Sequence, residues 1–394
     1  MEANPVDAAV FDRALAVADA VLYEGYLLYP YRHSSAKNRF RWQFGVLAPR
    51  AWAEARCAAD AGVAGSAEGW WQRTECLLEA GPGAGEAVVR CRLRFLQLVG
   101  RSIEERLPDG GHRPADELVT GSGLTVGFDA ALPRDFDLRV RLADVLDREQ
   151  RIDLRAPGGE DVETLNDGDG RPVGRALSRR WPVRASVIVS AAPCETPAPL
   201  FRLRVRVENA DDTTPADAPR EEALRRSLIA THSLLAARES SFVSLLEPPG
   251  WAEAAARACA NVHTFPVLAG EPGTRDLLLS SPILLYDHPR IAPESPGDLH
   301  DATEIDEILS LRTLTLTDEE KREARATDPR GAAIVDRVDT MPPEVFSRLH
   351  GAIRSLGPVA KSAEPVAKSA EPVAKSAGRH LETGPGPAPA NEEP

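Results

Sequence analysis

A chain of 394 residues with 43% hydrophobic content is long enough for two or three cored domains, and 33 prolines with 29 glycines demand many turns and some extended linker. Its formal net charge of -13 opposes generalised nucleic-acid binding, because phosphate backbones reward positive surface. No run approaches the roughly 20 apolar residues of a membrane-spanning helix, and the N-terminus mixes acidic with apolar residues and lacks a basic leader.

Residues 9–21 have the spacing of a short amphipathic helix. Strands are predicted next over residues 22–31 and 41–47, both aromatic and aliphatic, and then over 70–79 and 88–99. In VVRCRLRFLQLV, arginines alternate with apolar residues at a near two-residue period, the pattern of a strand with one packed and one wet face. Further strands are expected over 136–146, 183–191 and 200–208, separated by Gly, Pro and Asp clusters such as 156–174. Such spacing points to an antiparallel sandwich or open barrel, not to a doubly wound sheet.

The period then changes. EEALRRSLIATHSLLAARESSFVSLL predicts a helix over about 221–246, holding His232 and stopped by Pro248, Pro249 and Gly250. A short helix over 251–259 and an irregular or short-stranded stretch over 262–296 follow. Helices are expected at 317–326, where Thr317 suits the N-cap, and at 343–355. Beyond Gly357, PVAKSAE recurs from Pro358 and Pro365, and as PVAKSAG from Pro372. A proline in every unit bars a coiled coil and predicts a flexible tail. The expected chain is α+β: a mainly antiparallel β-rich domain over 1–210, a mixed helical and loop region over 211–357 packing on it, and a disordered low-complexity tail over 358–394.

Five widely separated cysteines, Cys57, Cys76, Cys91, Cys194 and Cys259, read as free thiols of a reducing, cytoplasmic compartment. There is no P-loop, no dinucleotide-binding glycine fingerprint, no GxSxG elbow, no HExxH and no CxxC pair. Binding is therefore favoured over catalysis, and no cofactor is predicted.

Two segments stand out. Residues 23–52 carry Tyr23, Tyr26, Tyr29 and Tyr31, then Arg32, Lys37, Arg39 and Arg41, with Trp42 and Trp52 nearby. Tyrosine and arginine combine apolar area with directed hydrogen bonds, so Tyr26, Tyr29, Tyr31, Arg32, Lys37, Arg39, Arg41 and Trp42 are candidate protein-binding residues. The alternatives are a hairpin whose aromatics pack the core, and an anion or cofactor cradle. The second segment is acidic, with eleven acidic against four basic residues over 294–328, whereas 30–56 holds six basic and one acidic. Such opposite charge is satisfied within one fold or displayed to a partner. A divalent metal is the sharper alternative to a solvated acidic loop, with Asp287, His288, Asp298, His300 and Asp301 as candidate ligands.

YEGYLLYPYRHSSAKNRFRWQFGVLAPRAW resembles the opening of a bacterial protein family encoded beside nickel–iron (NiFe) hydrogenase genes. WWQRTECLLE and the long block from NVHTFPVLAG to EARATDPR resemble its other characteristic blocks, so the likeness covers much of 22–79 and 261–330. The resemblance implies a non-enzymatic accessory or interaction protein in assembly, maturation or stability of a NiFe hydrogenase. A hydrogenase subunit or maturation complex is the implied partner, with no nucleic acid and no membrane insertion. A metal-dependent enzyme of unknown reaction, and a structural subunit of a larger complex, are the alternatives.

Overall fold

The computed structural model describes residues 9–57, 68–81, 87–291, 297, 299–301 and 306–342. The expected helix at 343–355, the repeats from Pro358 and the candidate ligand Asp298 lie outside the described residues.

The fold is α+β, β-rich through its N-terminal region and helical toward the C-terminus. Helix α1 (Asp12–Tyr23) buries Ala14, Ala18, Val21 and Leu22, a stripe with the three-to-four-residue spacing of one helix face. After α2 (Arg50–Cys57) come β1 (Trp71–Ala80), β2 (Val88–Arg106), β3 (His112–Ala115), β4 (Glu117–Thr120), β5 (Gly123–Val126) and β6 (Ala130–Arg141). Helix α3 (Leu142–Asp147) precedes β7 (Gln150–Ala156), β8 (Gly159–Asn166), β9 (Pro172–Arg180), β10 (Val183–Pro193) and β11 (Leu200–Asn209). Then follow α4 (Arg220–Leu224), β12 (Ile229–Arg238), β13 (Ser240–Val243), α5 (Glu253–Arg257), β14 (Phe265–Leu268) and β15 (Leu277–Ser281). Helices α6 (Asp306–Leu314), α7 (Asp318–Thr327) and α8 (Pro329–Asp339) complete the described chain.

Two antiparallel sheets form a sandwich. One has the strand order β13-β1-β11-β10-β7. The other runs β14-β15-β12-β2-β9-β8, with β3 and β6 also paired to β2. The long β2 is the hinge of this sheet: up to Val99 it lies between β12 and β6, and beyond it between β9 and β3. The inner faces meet in one apolar cluster that includes Cys76 and Leu78 of β1, Leu93 and Phe95 of β2, Val205 of β11 and Leu235 of β12. Since β12 and β15 sit in the same sheet as β2, the β-rich body is built from chain on both sides of position 210. Among the described residues no helix is long and apolar enough to cross a membrane.

Several expected elements are replaced. The helix predicted over 221–246 is only the turn-and-a-half of α4; its remainder is β12 and β13. β12 is buried on both faces from Ile229 to Ala236, so it lacks alternation, and its Leu and Ala content imitates a helix. The strands predicted over 22–31 and 41–47 are instead the end of α1, tight turns and a single bridge from Leu47 to Leu228, with a 3-10 turn at Ala36–Phe40 between them. Gly45 shows why a strand is not formed there. Its φ of +57° turns the chain, and a Cβ on it would lie 2.9 Å from the backbone nitrogen of Thr231. Residues 156–174, expected as a loop, hold β8, an edge strand exposed at nearly every position and so without an apolar signal.

The wet face predicted for β2 is covered as well. Helix α1 and the 3-10 turn before it (Ala9–Phe11) lie on this sheet, with Phe11, Ala14 and Ala18 packed on Leu234 and Ala236 of β12 and on Leu277 and Leu279 of β15. Arg92 sits over the Phe11 ring and pairs with Asp137 at 2.7 Å. Arg94 pairs with Asp19 of α1 at 2.8 Å and with Asp135 of β6 at 3.0 Å. Both arginines are buried because carboxylates come with them.

Candidate functional site

The aromatic–basic segment and the acidic segment meet. Past α1, Gly25 turns the chain at φ +71°; its N–H donates to the His300 carbonyl (2.9 Å) and its own carbonyl accepts from the Trp42 N–H (3.3 Å). Asn38, buried, closes the loop between them: its amide oxygen accepts from the Leu28 N–H (2.8 Å), and its NH2 donates to the carbonyls of Leu28 and Arg32 (3.0 and 2.9 Å). Three non-glycine residues here adopt left-handed backbone, Tyr31 (φ +64°), Trp42 (+65°) and His300 (+56°). Each such residue costs about 1–2 kcal/mol, which the surrounding packing must offset.

On the other side, α7 begins with a capping box in which the Thr317 hydroxyl accepts from the Glu320 N–H and the Glu320 carboxylate accepts from the Thr317 N–H. Asp328 caps α8 by accepting from the Arg330 N–H at 2.8 Å, with Pro329 in the first turn.

Contacts between the two sides are mostly ionic or hydrogen-bonded. Lys37 Nζ reaches Asp301 Oδ2 at 2.7 Å, and the Tyr29 N–H donates to the same oxygen at 3.0 Å. Arg32 lies 3.2 Å from Glu320 and 3.6 Å from Glu323, while His33 Nδ1 is 3.1 Å from Glu323. Tyr31 donates to the Leu299 carbonyl at 3.3 Å and Tyr26 to Asp328 Oδ2 at 2.7 Å. Burial first, and then the Asp328 charge, push the Tyr26 phenol well above its ordinary value, so it remains a proton donor. Arg41 stacks between Phe128 (3.7 Å) and Trp42 (4.7 Å) and donates to the carbonyls of Tyr26 and Asp129. Burial pulls it down to about 10, leaving it charged at neutral pH.

Of the candidate protein-binding residues, Tyr26, Tyr31, Arg41 and Trp42 are buried within the chain. Tyr29, Arg32 and Lys37 are half-buried with partners from the C-terminal region. Arg39 lies in the 3-10 turn at Ala36–Phe40, and its side chain is outside the described set. The candidate metal ligands separate. His300 and Asp301 are at the junction, whereas Asp287 accepts from Ser244 Oγ and from the Leu268 N–H (2.7 Å), and the His288 N–H donates to the Leu268 carbonyl (2.7 Å). Among the described residues no three His, Cys, Asp or Glu side chains converge as a metal site.

Beside the junction lies a cavity of about 670 Å³. Its walls come from α1 (Asp19, Ala20, Tyr23), from Arg94 of β2, from Pro133 of β6, from Leu299 to Asp301, and from Arg330 of α8. Arg94, Arg330 and Asp328 escape a reading of motifs, since each is an isolated residue in an ordinary context. A usable signal does exist: DFD in β6 sets Asp135 and Asp137 directly across from Arg94 and Arg92, as charge pairs across strands require. No family model matches the chain, and comparison with curated proteins and with solved structures found no match.

Proposed function

We propose that the chain is a non-enzymatic, cytoplasmic accessory protein that holds a subunit or an immature complex during assembly, maturation or stabilisation of a NiFe hydrogenase. The sequence blocks that resemble the hydrogenase-linked family support this reading, since they lie at 22–79 and 261–330 and together build the junction. The observation that carries it is the placement of exposed apolar side chains. Of the eleven exposed large apolar residues among those described, six fall between positions 284 and 314: Leu284, Tyr286, Ile291, Ile308, Leu311 and Leu314. Leu284 and Tyr286 are 74% and 75% exposed, a costly arrangement unless another surface covers them. Helix α6 is built the same way, burying Leu309, Ser310 and Thr313 while Ile308, Leu311 and Leu314 face out.

Helix α6 rests on the junction, with Leu309 in the same apolar cluster as Tyr26 and Tyr31, and side chains on such a rigid base lose little entropy on binding. Affinity purification of the tagged full chain from its native host at mild ionic strength, followed by mass spectrometry, tests the reading. Hydrogenase subunits should co-purify reproducibly, and the double variant Leu284→Ser/Tyr286→Ser should lose them while keeping its melting temperature. A hydrogenase-free eluate from the unaltered protein would refute the assignment.

A further inference from the structure

We propose that the cavity between α1, β2 and α8 is a binding site for a small organic monocarboxylate with an apolar body, independently of the hydrogenase reading. Two arginines line it, and their parts differ. Arg94 is only 5% exposed; it spends Nε on Asp135 and one terminal nitrogen on Asp19, and its other terminal nitrogen is buried without a hydrogen-bond partner. That nitrogen is closed even to water, so Arg94 lends charge to the wall and hydrogen bonding to the ligand falls to Arg330. Arg330 supplies charge. Its guanidinium lies 3.6 Å from the centre of the Tyr23 ring and makes no hydrogen bond or ion pair with a described side chain. The fork is planar by resonance, and stacking on tyrosine leaves it weakly hydrated, the state in which arginine binds carboxylates well.

The nearby acids are already engaged. Asp19 serves Arg94, Asp301 serves Lys37 and the Tyr29 N–H, and Asp328 divides its oxygens between Tyr26 and the Arg330 N–H. They still set the ligand's charge: with Asp19, Glu24 and Asp301 along the walls, one negative charge opposite Arg330 is favoured over two. Besides Tyr23 and His300, the rest of the lining, including Ala16, Ala20, Leu22, Pro133 and Leu299, carries no polar side chain, and the volume lies in the range of small-molecule sites.

Isothermal titration of the full chain with benzoate, phenyl phosphate and benzyl alcohol tests the site. Benzoate should bind one to one, with phenyl phosphate and benzyl alcohol each about tenfold weaker or worse. Arg330→Gln should weaken benzoate about tenfold, and Ala20→Leu, which fills the cavity without touching a charge, should abolish binding even if Arg330→Gln folds poorly. Absence of benzoate binding to the unaltered chain, or binding that both variants leave intact, would overturn the proposal. Tighter binding of phenyl phosphate than of benzoate would overturn the choice of a monocarboxylate.

Discussion

Between the sheets, Leu93, Leu203 and Leu235 are fully buried and belong to one apolar cluster. At the junction of residues 23–42 with 299–330, Tyr26, Arg41 and Asp328 are nearly as inaccessible, yet each is tied to a particular atom on a distant stretch of chain. The first region depends on volume, so its stability follows the area and contacts removed. The second depends on pairing, and deleting one oxygen there strands another polar group in the interior. Burial alone therefore does not say how a region will respond to change.

The largest effect should come from the sandwich. Phe95→Ala removes a ring stacked at 5.8 Å on Phe136 and opens a cavity in the main core, with an expected loss of about 3–5 kcal/mol in urea unfolding. Next comes His232, a fully buried imidazole on β12. Its Nδ1 is 2.9 Å from the Ala230 carbonyl, and burial, with Arg94 contributing, pushes it down to about 3. The folded protein thus keeps this ring neutral while the unfolded chain takes up a proton below about pH 6.5. Stability from this group is complete above that value and declines as pH falls toward 3, by about 2–3 kcal/mol at pH 4.5. Urea unfolding at pH 7 and 4.5 should show a smaller acid loss in His232→Gln than in the unaltered protein. Equal losses would move the titration elsewhere.

Tyr26→Phe sharpens the contrast, because it conserves nearly all the volume and removes only the hydroxyl held by Asp328. A junction governed by pairing should lose about 1–3 kcal/mol, where a volume-governed site would barely change. The smallest stability effect belongs to the exposed residues: Leu284→Ser and Tyr286→Ser should fall within about 0.5 kcal/mol of the unaltered protein. A larger loss would mean that this surface is structural and not a docking face.

The sandwich was legible where turn residues bound a short run of strand-forming residues. Residues 70–79, 183–191 and 200–208 are β1, β10 and β11 with ends differing by a residue or two, and the Thr317 cap is in place. Legibility failed in β12, whose two-sided burial is filled largely by Leu and Ala that suit a helix equally well, and in β8, whose exposure leaves no apolar signal. It also failed in reading the arginines of β2 as solvated, since their cover, α1, and their counter-charges, Asp19, Asp135 and Asp137, are separate stretches of chain. At the junction, composition identified the two segments and their opposite charge. That Lys37 meets Asp301, and Arg32 meets Glu320 and Glu323, follows from topology that no local pattern encodes.

Helix α1 imposes an order on synthesis. It leaves the ribosome early, but the residues it covers, Leu234, Ala236, Leu277 and Leu279, are translated more than two hundred positions later. At about 5–20 residues per second that delay lasts on the order of ten seconds or more. A helix of this length is marginal on its own in water. For that interval its apolar stripe is open to chaperones or to other nascent chains, and polypeptides that stop short of β15 are the ones expected to aggregate.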